Sequence, residues 1–236
     1  MSRSAHFWAV LPAAGVGRRV GGVVPKQYLT LGGRPVIEYP LQLFLTHPRI
    51  AGVAVALDAA DAYWAGTAFA EHPKIMRVAG GAERCHSVLN ALDALVVSAA
   101  ESDWVLVHDA ARPCLRGEDL DRLLALLESH PVGGLLGVPV RDTMKQVGPD
   151  GEVRHTVPRD DLWHAFTPQM FRLGLLRRAL HAAIGAGRVV TDDASAVELL
   201  GLEPLLVEGR ADNIKVTSRE DLVLAHFYLQ QQGRLC

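Results

Sequence analysis

The segment that most restricts how this chain can fold is residues 9–31, AVLPAAGVGRRVGGVVPKQYLTL. It begins as a short apolar run that predicts a strand, breaks at Pro12 and continues as a glycine-rich stretch. Glycine lets backbone N–H groups come close to a ligand, because no Cβ blocks the approach. Since converging N–H groups bind anions, the segment predicts a strand followed by a phosphate-binding turn.

The turn also carries side-chain cations, with Arg19 inside the loop and Lys26 just after it. A nucleoside triphosphate bears several negative charges, whereas a helix terminus offers only about half a charge. The Gly-Lys-Ser/Thr of a P-loop is missing, and Val20 stands where a dinucleotide fingerprint needs its third glycine. The alternative is a plain surface turn from strand to helix, but such a turn does not need cations among its glycines.

Strand and helix patterns alternate along the chain as far as Val140. After the first strand, apolar runs predict strands at 50–57, 74–78, 104–108 and 134–140, and helical patterns cover 35–45, 59–70, 86–98 and 119–129. The alternation predicts a Rossmann-like α/β fold, a mainly parallel twisted sheet with helices on both faces. Ligands of such sheets bind beyond the carboxyl ends of the strands, so residues 13–19, 80–84 and 109–112 are expected along one rim.

The pattern changes after Val140, where segments 144–147 and 152–156 flank the turn GPDG and predict a β-hairpin. Few residues of this hairpin could fill a core, and an isolated hairpin is marginally stable. We expect it to project as an arm, at about residues 141–160, and to pack on a second subunit; a hairpin folded back on its own domain is the alternative. One domain spanning residues 1–236 is completed by helices at 172–186, 191–200 and 219–231, an extended segment at 162–171, and strands at 205–208 and 213–216.

Composition argues against several classes of function. The formal net charge is −2, which does not indicate a general nucleic-acid binder. The three cysteines, Cys85, Cys114 and Cys236, are scattered, which fits a reducing cytoplasm without a disulfide framework, and the lack of a C-x-x-C pair argues against zinc. No apolar run approaches the ~20 residues of a membrane span, and the N-terminal run is too short for a signal peptide.

Two further motifs fall on the predicted rim. In residues 80–88, GGAERCHSV, the glycines give backbone donors and Ser87 gives a hydroxyl for a base or ribose, unless the motif is only a helix cap. In residues 108–113, HDAARP, Asp109 at a strand end is a natural Mg²⁺ ligand, and the fork of Arg112 can hold a phosphate or carboxylate. An Asp–Arg surface pair is the alternative for this second motif.

The last motif is residues 209–217, GRADNIKVT, in which Lys215 lies between apolar residues of a predicted strand. A lysine in that position is costly unless it pairs with an anion. A nucleotide α-phosphate or a phosphate of a second substrate could be that anion. An exposed lysine on an edge strand is the alternative.

Together these motifs resemble the sugar-nucleotidyltransferase signature, and most closely the 2-C-methyl-D-erythritol 4-phosphate cytidylyltransferase family. The resemblance extends from Ala9 to Leu229 and rests on P-A-A-G-x-G-x-R at 12–19, P-K-Q-Y at 25–28, L-G-x-x-P at 31–35, G-G-x-x-R-x-x-S-V at 80–88 and the later motifs in order. It implies transfer of a cytidylyl group from CTP to 2-C-methyl-D-erythritol 4-phosphate with release of pyrophosphate. It also implies Mg²⁺ or another divalent cation, and a homodimer formed through the arm.

The resemblance further implies a role for each matching residue, with Asp109 as the metal ligand. The implied catalytic cations are Arg19, Lys26, Arg159 and Lys215, of which Arg159 acts from the arm of the neighbouring subunit. The implied contacts to the acceptor are Arg112, Thr143, Arg159, Thr167 and Lys215. The implied contacts to the nucleotide are Pro12, Ala13, Ala14, Gly15, Gly17, Gly80, Gly81, Arg84, Ser87 and Ala110. Ala82 departs from the acidic residue often found at that place in the family.

The implied reaction needs no general base, because the attacking phosphate is already anionic near neutral pH, its second pKa being about 6. Catalysis then reduces to positioning and to stabilising charge on the α-phosphate. Two alternatives stay open: a cytidylyltransferase acting on a pentitol phosphate such as ribitol 5-phosphate, and a catalytically silent nucleotide sensor. The presence of both Lys26 and Lys215 favours an enzyme, because a mere binder has no use for transition-state cations.

Overall fold

The computed structural model describes residues 5–15 and 24–235. The strands are β1 (Phe7–Pro12), β2 (Thr30–Leu31), β3 (Arg34–Pro35), β4 (Ile50–Leu57), β5 (Ile75–Ala79), β6 (Trp104–Val107), β7 (Gly133–Pro139), β8 (Met144–Val147), β9 (Val153–Val157), β10 (Trp163–Arg172) and β11 (Leu205–Glu208). The helices are α1 (Glu38–Thr46), α2 (Arg84–Leu95), α3 (Gly117–Leu127), α4 (Leu173–Gly185), α5 (Asp193–Glu198) and α6 (Arg219–Gln231). Within the described residues, short 3₁₀ helices cover Lys26–Tyr28 and Trp64–Gly66.

A mixed sheet forms the centre of the fold. Within the described ranges it has seven strands, in the order β5-β4-β1-β6-β10-β7-β11. Strand β10 runs antiparallel to β6 and β7, whereas the other pairings in this sheet are parallel. The predicted mainly parallel sheet is therefore confirmed, and the carboxyl ends of β1, β4 and β6 meet at one edge, where ligands of such sheets bind.

Side chains of the central strands alternate between two apolar layers. In β1, Ala9 and Leu11 belong to a cluster with α1 and α3, whereas Val10 belongs to a cluster with α2 and α4. Strand β6 alternates in the same way, with Leu106 in the first cluster and Val107 in the second. Successive side chains of a strand point to opposite faces, so a strand that is apolar throughout is buried between two layers of helices. The alternation of strand and helix segments along the chain predicts helices on both faces of the sheet, and this prediction is confirmed.

Several predicted elements have the expected bounds. Strands β4, β8 and β11 span the predicted residues, and α6 begins after Ser218 as expected. The hydroxyl of Ser218 accepts the N–H of Asp221 at 3.3 Å, and the Asp221 carboxylate accepts the N–H of Ser218 at 2.8 Å. This reciprocal capping box satisfies backbone donors that a helix start leaves unpaired, which explains why the boundary was predictable.

The helix predicted at residues 59–70 is wrong, because local side-chain hydrogen bonds replace the helical ones. The Asp58 carboxylate accepts the N–H of Ala60 at 2.8 Å, and the Asp61 carboxylate accepts the N–H groups of Tyr63 and Trp64, both at 2.9 Å. Aspartate side chains compete with the helix for backbone donors in this way. Only the short 3₁₀ helix at Trp64–Gly66 forms in the segment.

Two other predicted elements also differ from the structure. The helix expected from Pro35 begins at Glu38, and Pro35 instead pairs with Thr30 in a two-residue strand. Pro40 thus lies in the first turn, where a missing N–H costs no intrahelical hydrogen bond. The segment 213–216, expected to be a strand, is a loop. Asn213 bonds to residues of the candidate site described below. Only the N–H of Val216 in this segment donates to Ala111, whose carbonyl oxygen lies 2.8 Å away.

The predicted arm is present as the β8–β9 hairpin, which forms a separate two-stranded sheet. All four residues of β8 and the first four of the five in β9 are exposed, including the apolar Met144, Val147 and Val153. The hairpin therefore projects instead of folding back on its own domain. None of the helices in the described part of the chain has the length and apolar character needed to cross a membrane.

Candidate active site

The rim at the carboxyl ends of β1 and β6 encloses a cavity of about 240 Å³, here called the first cavity. Its wall combines the turn after β1, the start of α2 and the turn after β6, with two lysines from other parts of the chain. The predicted site residues that line it are Pro12, Ala13, Ala14, Gly15, Lys26, Gly81, Arg84, Ser87, Asp109, Ala110 and Lys215. The convergence expected from the parallel sheet is therefore observed.

A second cavity of about 280 Å³ adjoins the first. It is lined by Arg112 and Thr167, two of the predicted acceptor residues. Among the described residues, the side chains that line both cavities are those of Arg84, Asp109 and Lys215, here called the shared wall. Two ligands bound in the two cavities would meet at this wall.

Asp109 is the centre of charge in the shared wall. Its carboxylate accepts from Arg84 Nε at 3.0 Å and pairs with Lys215 Nζ at 2.8 Å and Arg112 Nε at 3.4 Å. Burial alone would raise the pKa of Asp109, but the three surrounding cations outweigh it and hold that pKa well below its usual value. One carboxylate thus holds three cationic side chains together at the junction of the cavities.

Arg84 is itself held from two sides. Its Nη2 donates to Asp193 Oδ2 at 2.8 Å while its Nε donates to Asp109 Oδ1. Burial lowers the pKa of Arg84, but Asp193 and Asp109 raise it further than burial lowers it, so the guanidinium remains charged. Asp193 is fully buried at the start of α5 and was not predicted as a site residue. The sequence predicts a helix at 191–200 and no site residue there; the helix begins at Asp193, which also holds Arg84.

Lys215 pairs with the carboxylate of Asp109 in the same chain, whereas the anions expected from the sequence are substrate phosphates, so that pairing stays a prediction. The loop that carries it is fixed by Asn213, whose carbonyl accepts from Arg112 Nη1 at 2.7 Å and whose side-chain amide donates to the Thr167 carbonyl at 2.8 Å. Sequence reasoning missed Asn213, because its partners are distant in the chain. These bonds hold Lys215 against both cavities.

The glycine motif before α2 is a closely packed turn. A Cβ on Gly80 would meet the Cβ of Ala14 at 2.2 Å, and one on Gly81 would meet the Cβ of His86 at 2.3 Å. The Ser87 hydroxyl accepts the N–H of Gly81 at 3.0 Å and donates to the carbonyl of Glu83 at 3.2 Å. Gly80 is not among the residues lining the first cavity; it allows Ala14 to lie close beside the motif. The loop is thus preorganised by residues that were predicted to contact the ligand directly.

The P-K-Q motif is tied to the glycine loop by a residue that sequence reasoning did not single out. Gln27 is buried, and its side-chain amide donates to the carbonyl of Ala13 at 2.6 Å. The carbonyl of Gln27 accepts the N–H of Ile37 at 2.8 Å. Lys26 is therefore held at the mouth of the first cavity by the residue that follows it.

His108 is buried and fully engaged in hydrogen bonds. Its Nε2 lies 3.1 Å from the carbonyl oxygen of Arg112, so this nitrogen carries the hydrogen, and its Nδ1 accepts from the Thr167 hydroxyl at 3.0 Å. Burial lowers the pKa of His108 to about 4, so the ring is neutral near pH 7. Thr167 also accepts the N–H of Asp109 at 3.1 Å. His108 is therefore a structural residue that directly follows β6.

Two predicted site residues lie away from both cavities, and two others lie outside the described residues. Thr143 and Arg159 are exposed at the base of the arm and line neither cavity; Arg159 donates to the carbonyl of Arg141. Gly17 and Arg19 lie outside the described residues. The predicted roles of these four residues therefore stay predictions.

The surroundings of Asp109 restrict the kind of metal ion that fits there. Both of its oxygens already face cations, so a bare divalent ion would meet positive charge. An ion that brings phosphate oxygens and water as most of its ligands, as Mg²⁺ does with nucleotides, requires only one or two carboxylates. The donor set therefore fits Mg²⁺ carried by a triphosphate better than a cage made only of protein ligands.

Comparison with known proteins agrees with the site. Residues 7–231 match the sequence model of one family, IspD: 2-C-methyl-D-erythritol 4-phosphate cytidylyltransferase. The enzyme of that name from Ectopseudomonas mendocina (strain ymp) is 56% identical over 220 residues, which are 93% of this chain and 94% of that protein. The one from Pseudomonas putida (strain GB-1) is 57% identical over 217 residues, 92% of each chain. The crystal structure of the Francisella tularensis cytidylyltransferase is similar with a TM-score of 0.83 at 36% identity, over 95% of this chain and 100% of that one.

Proposed function

The chain belongs to the 2-C-methyl-D-erythritol 4-phosphate cytidylyltransferase family, and we propose that it transfers a cytidylyl group from CTP to 2-C-methyl-D-erythritol 4-phosphate. The products are 4-diphosphocytidyl-2-C-methyl-D-erythritol and pyrophosphate, and the reaction is a step of the non-mevalonate isoprenoid pathway. The observation that carries the proposal is the shared wall, because a reaction between two anionic substrates needs fixed positive charge where their reacting groups meet.

The first cavity suits the nucleotide. It combines the backbone of the turn after β1 with the Gly81–Ser87 motif, and Lys26 faces it from one side. The second cavity suits the acceptor phosphate, because Arg112 and Lys215 both line it. The α-phosphate of CTP and the phosphate of the acceptor would then meet at Arg84 and Lys215.

In this arrangement a phosphate oxygen of the acceptor attacks the α-phosphorus in line. A new P–O bond forms, and the bond to the bridging oxygen breaks with its electron pair leaving on pyrophosphate. The acceptor phosphate is largely ionised near pH 7, so no base has to remove a proton. His108 is consistent with this, because its ring is neutral and both of its nitrogens are hydrogen-bonded within the protein. Lys26, Lys215 and Arg19 stabilise the charge that develops.

We further propose Asp109 as the protein ligand of Mg²⁺ or another divalent cation that enters with CTP. When bound, this ion offsets the repulsion between the two anionic substrates. The protein's own part is to hold Asp109 at the junction of the cavities through its bonds to Arg84 and Lys215. Loss of turnover in EDTA, with recovery on adding Mg²⁺, is the expected result.

The proposal includes a homodimer formed through the β8–β9 arm. The arm exposes apolar residues on a hairpin that has little core of its own, and such a hairpin gains stability by packing on another surface. Thr143 and Arg159 would then reach the acceptor cavity of the neighbouring subunit. We also propose that the enzyme acts in the cytoplasm, since Cys85 and Cys114 are free thiols, as is usual in a reducing compartment.

A pyrophosphate-release assay tests the function. The purified protein with Mg²⁺ is given each of the four ribonucleoside triphosphates, paired with 2-C-methyl-D-erythritol 4-phosphate, ribitol 5-phosphate or no acceptor. Release only with CTP and the methylerythritol phosphate is expected. Release with ribitol 5-phosphate instead would make the enzyme a pentitol-phosphate cytidylyltransferase, and no release with any pair would make the chain a nucleotide sensor.

A further inference from the structure

We propose that Glu83, Cys85 and His86, at the start of α2, form a second metal site that takes a thiophilic divalent cation such as Zn²⁺. The carboxylate, thiol and imidazole of these residues offer three ligand atoms that all lie within 4.8 Å of one another. The site is separate from Asp109, which is not one of the three ligands.

The spacing of the three ligand atoms is close to that of a tetrahedral site. Cys85 Sγ lies 3.8 Å from Glu83 Oε2 and 3.9 Å from His86 Nδ1. Bond lengths of about 2.3 Å for Zn–S and about 2.0–2.1 Å for Zn–N or Zn–O place tetrahedral ligand atoms about 3.6 Å apart. Movements of a few tenths of an ångström would therefore bring Cys85 Sγ to tetrahedral spacing from each of the other two ligand atoms. The carboxylate of Glu83 and the imidazole of His86 lie within 4.8 Å of each other, and rotation of these two side chains would close the remaining distance.

The backbone that carries the ligands is fixed. Gly81 packs directly against His86, where a Cβ would approach the His86 Cβ to 2.3 Å. The N–H of Ser87 donates to the Glu83 carbonyl at 3.1 Å. This hydrogen bond forms the first turn of α2, which carries Cys85 and His86. Glu83 is the N-cap residue of α2, yet its carboxylate accepts no backbone N–H of that turn and is exposed. Its side chain is thus available to a cation, although it occupies a capping position.

The ligand types select the class of cation. Mg²⁺ prefers oxygen ligands, whereas a thiolate and an imidazole favour Zn²⁺, Co²⁺ or Cd²⁺. Three protein ligands leave one tetrahedral position for water or another group. The lack of a C-x-x-C pair argues against a zinc site built from paired cysteines, but it does not argue against a site with one carboxylate, one thiolate and one imidazole. Since Glu83 also lines the first cavity, the cation would lie beside the predicted nucleotide site.

Cobalt binding tests the proposal without reference to catalysis. The reduced, metal-stripped full-length protein is titrated with Co²⁺ in an excess of Mg²⁺, which occupies oxygen-only sites. We expect about one Co²⁺ per chain, with a thiolate-to-cobalt charge-transfer band and the visible absorption of tetrahedral cobalt. Added Zn²⁺ should displace the cobalt and abolish both signals.

Matched variants assign the signals to the site. Cys85→Ser should abolish the charge-transfer band, and His86→Ala should weaken Co²⁺ binding by more than about tenfold, since even outer contacts of metal sites contribute that much. Cys114→Ser is the control, because Cys114 is a buried free cysteine in a different apolar cluster. Circular dichroism on heating verifies that each variant is folded.

Three results would overturn the proposal. These are the absence of a thiolate band in the unmodified protein, a band of equal strength in Cys85→Ser, and the loss of the band in Cys114→Ser. Equal Co²⁺ affinity in a folded His86→Ala variant would also contradict the assigned ligand set.

Discussion

At the scale of single residues, the site depends on one carboxylate that is outnumbered by cations. The carboxylate of Asp109 faces Arg84, Arg112 and Lys215. The backbone N–H of Asp109 donates to the hydroxyl of Thr167. In the absence of ligand the carboxylate neutralises part of this positive charge. Phosphates entering the two cavities would compete for the same cations, so the arrangement is suited to polyanions.

The first prediction concerns the lysines of the first cavity. Lys26→Ala and Lys215→Ala should each lower kcat by about a hundredfold or more, because fixed charges that stabilise a transition state contribute on that order. Steady-state rates of pyrophosphate release measure the effect. Lys74→Ala is the matched control, since Lys74 is exposed and lines neither cavity. Turnover like that of the control in both variants would remove these lysines from the mechanism.

The second prediction concerns Asp193, which reaches the site only through Arg84. Asp193→Asn keeps the size of the side chain but replaces the carboxylate with an amide, so Arg84 loses one of the two carboxylates that hold it. We expect kcat/KM to fall by about tenfold or more, and the double variant with Arg84→Gln to be hardly worse than Arg84→Gln alone, because the residues act as a unit. Effects that simply add would show that Asp193 acts by some other route.

At the scale of elements, the turns after the strands decide what the cavities can hold. The third prediction is that Gly81→Ala distorts the turn before α2, because its new Cβ would meet the backbone and Cβ of His86. A raised KM for CTP and a lower melting temperature are expected. Gly185→Ala is the control, since a Cβ there meets nothing within 4 Å. If both variants have the same KM for CTP and the same melting temperature as the parent, the turn does not depend on Gly81.

The elements also show how far the sequence predicts the structure. Strands such as β4 were predictable because a strand buried on both faces is apolar throughout, and the rim followed from the carboxyl ends of parallel strands. The segment at 59–70 was mispredicted because Asp58 and Asp61 bond their own backbone. Asp193 was missed because its partner Arg84 lies far away in the chain, and a local pattern cannot show such a contact.

At the scale of the whole molecule, the proposed dimer explains why two predicted residues lie away from the cavities. Thr143 and Arg159 are exposed at the base of the arm within one chain. An arm that packs on a neighbouring subunit would carry them to the acceptor cavity of that subunit. The active site would then be completed only on assembly.

The fourth prediction tests this arrangement by mixing two impaired variants. A mixed dimer contains one Arg159→Ala chain and one Lys215→Ala chain. One of its two sites then has Lys215 from the first chain and Arg159 from the arm of the second, whereas the other site lacks both residues. Random exchange between two-fold dimers should therefore restore roughly a quarter of wild-type turnover. Each variant dissociated and reassociated alone is the control. No recovery in a mixture shown to contain mixed dimers would mean that Arg159 does not act across the interface.

The central claim is that two anionic substrates react where the two cavities meet, at Arg84, Asp109 and Lys215. The most direct test is ³¹P NMR of CTP and 2-C-methyl-D-erythritol 4-phosphate incubated with the protein and Mg²⁺. We predict that a diphosphate diester and pyrophosphate appear in equal amounts, and that neither forms when the acceptor is left out. Unchanged triphosphate signals, or CMP and pyrophosphate formed by hydrolysis without the acceptor, would contradict the account.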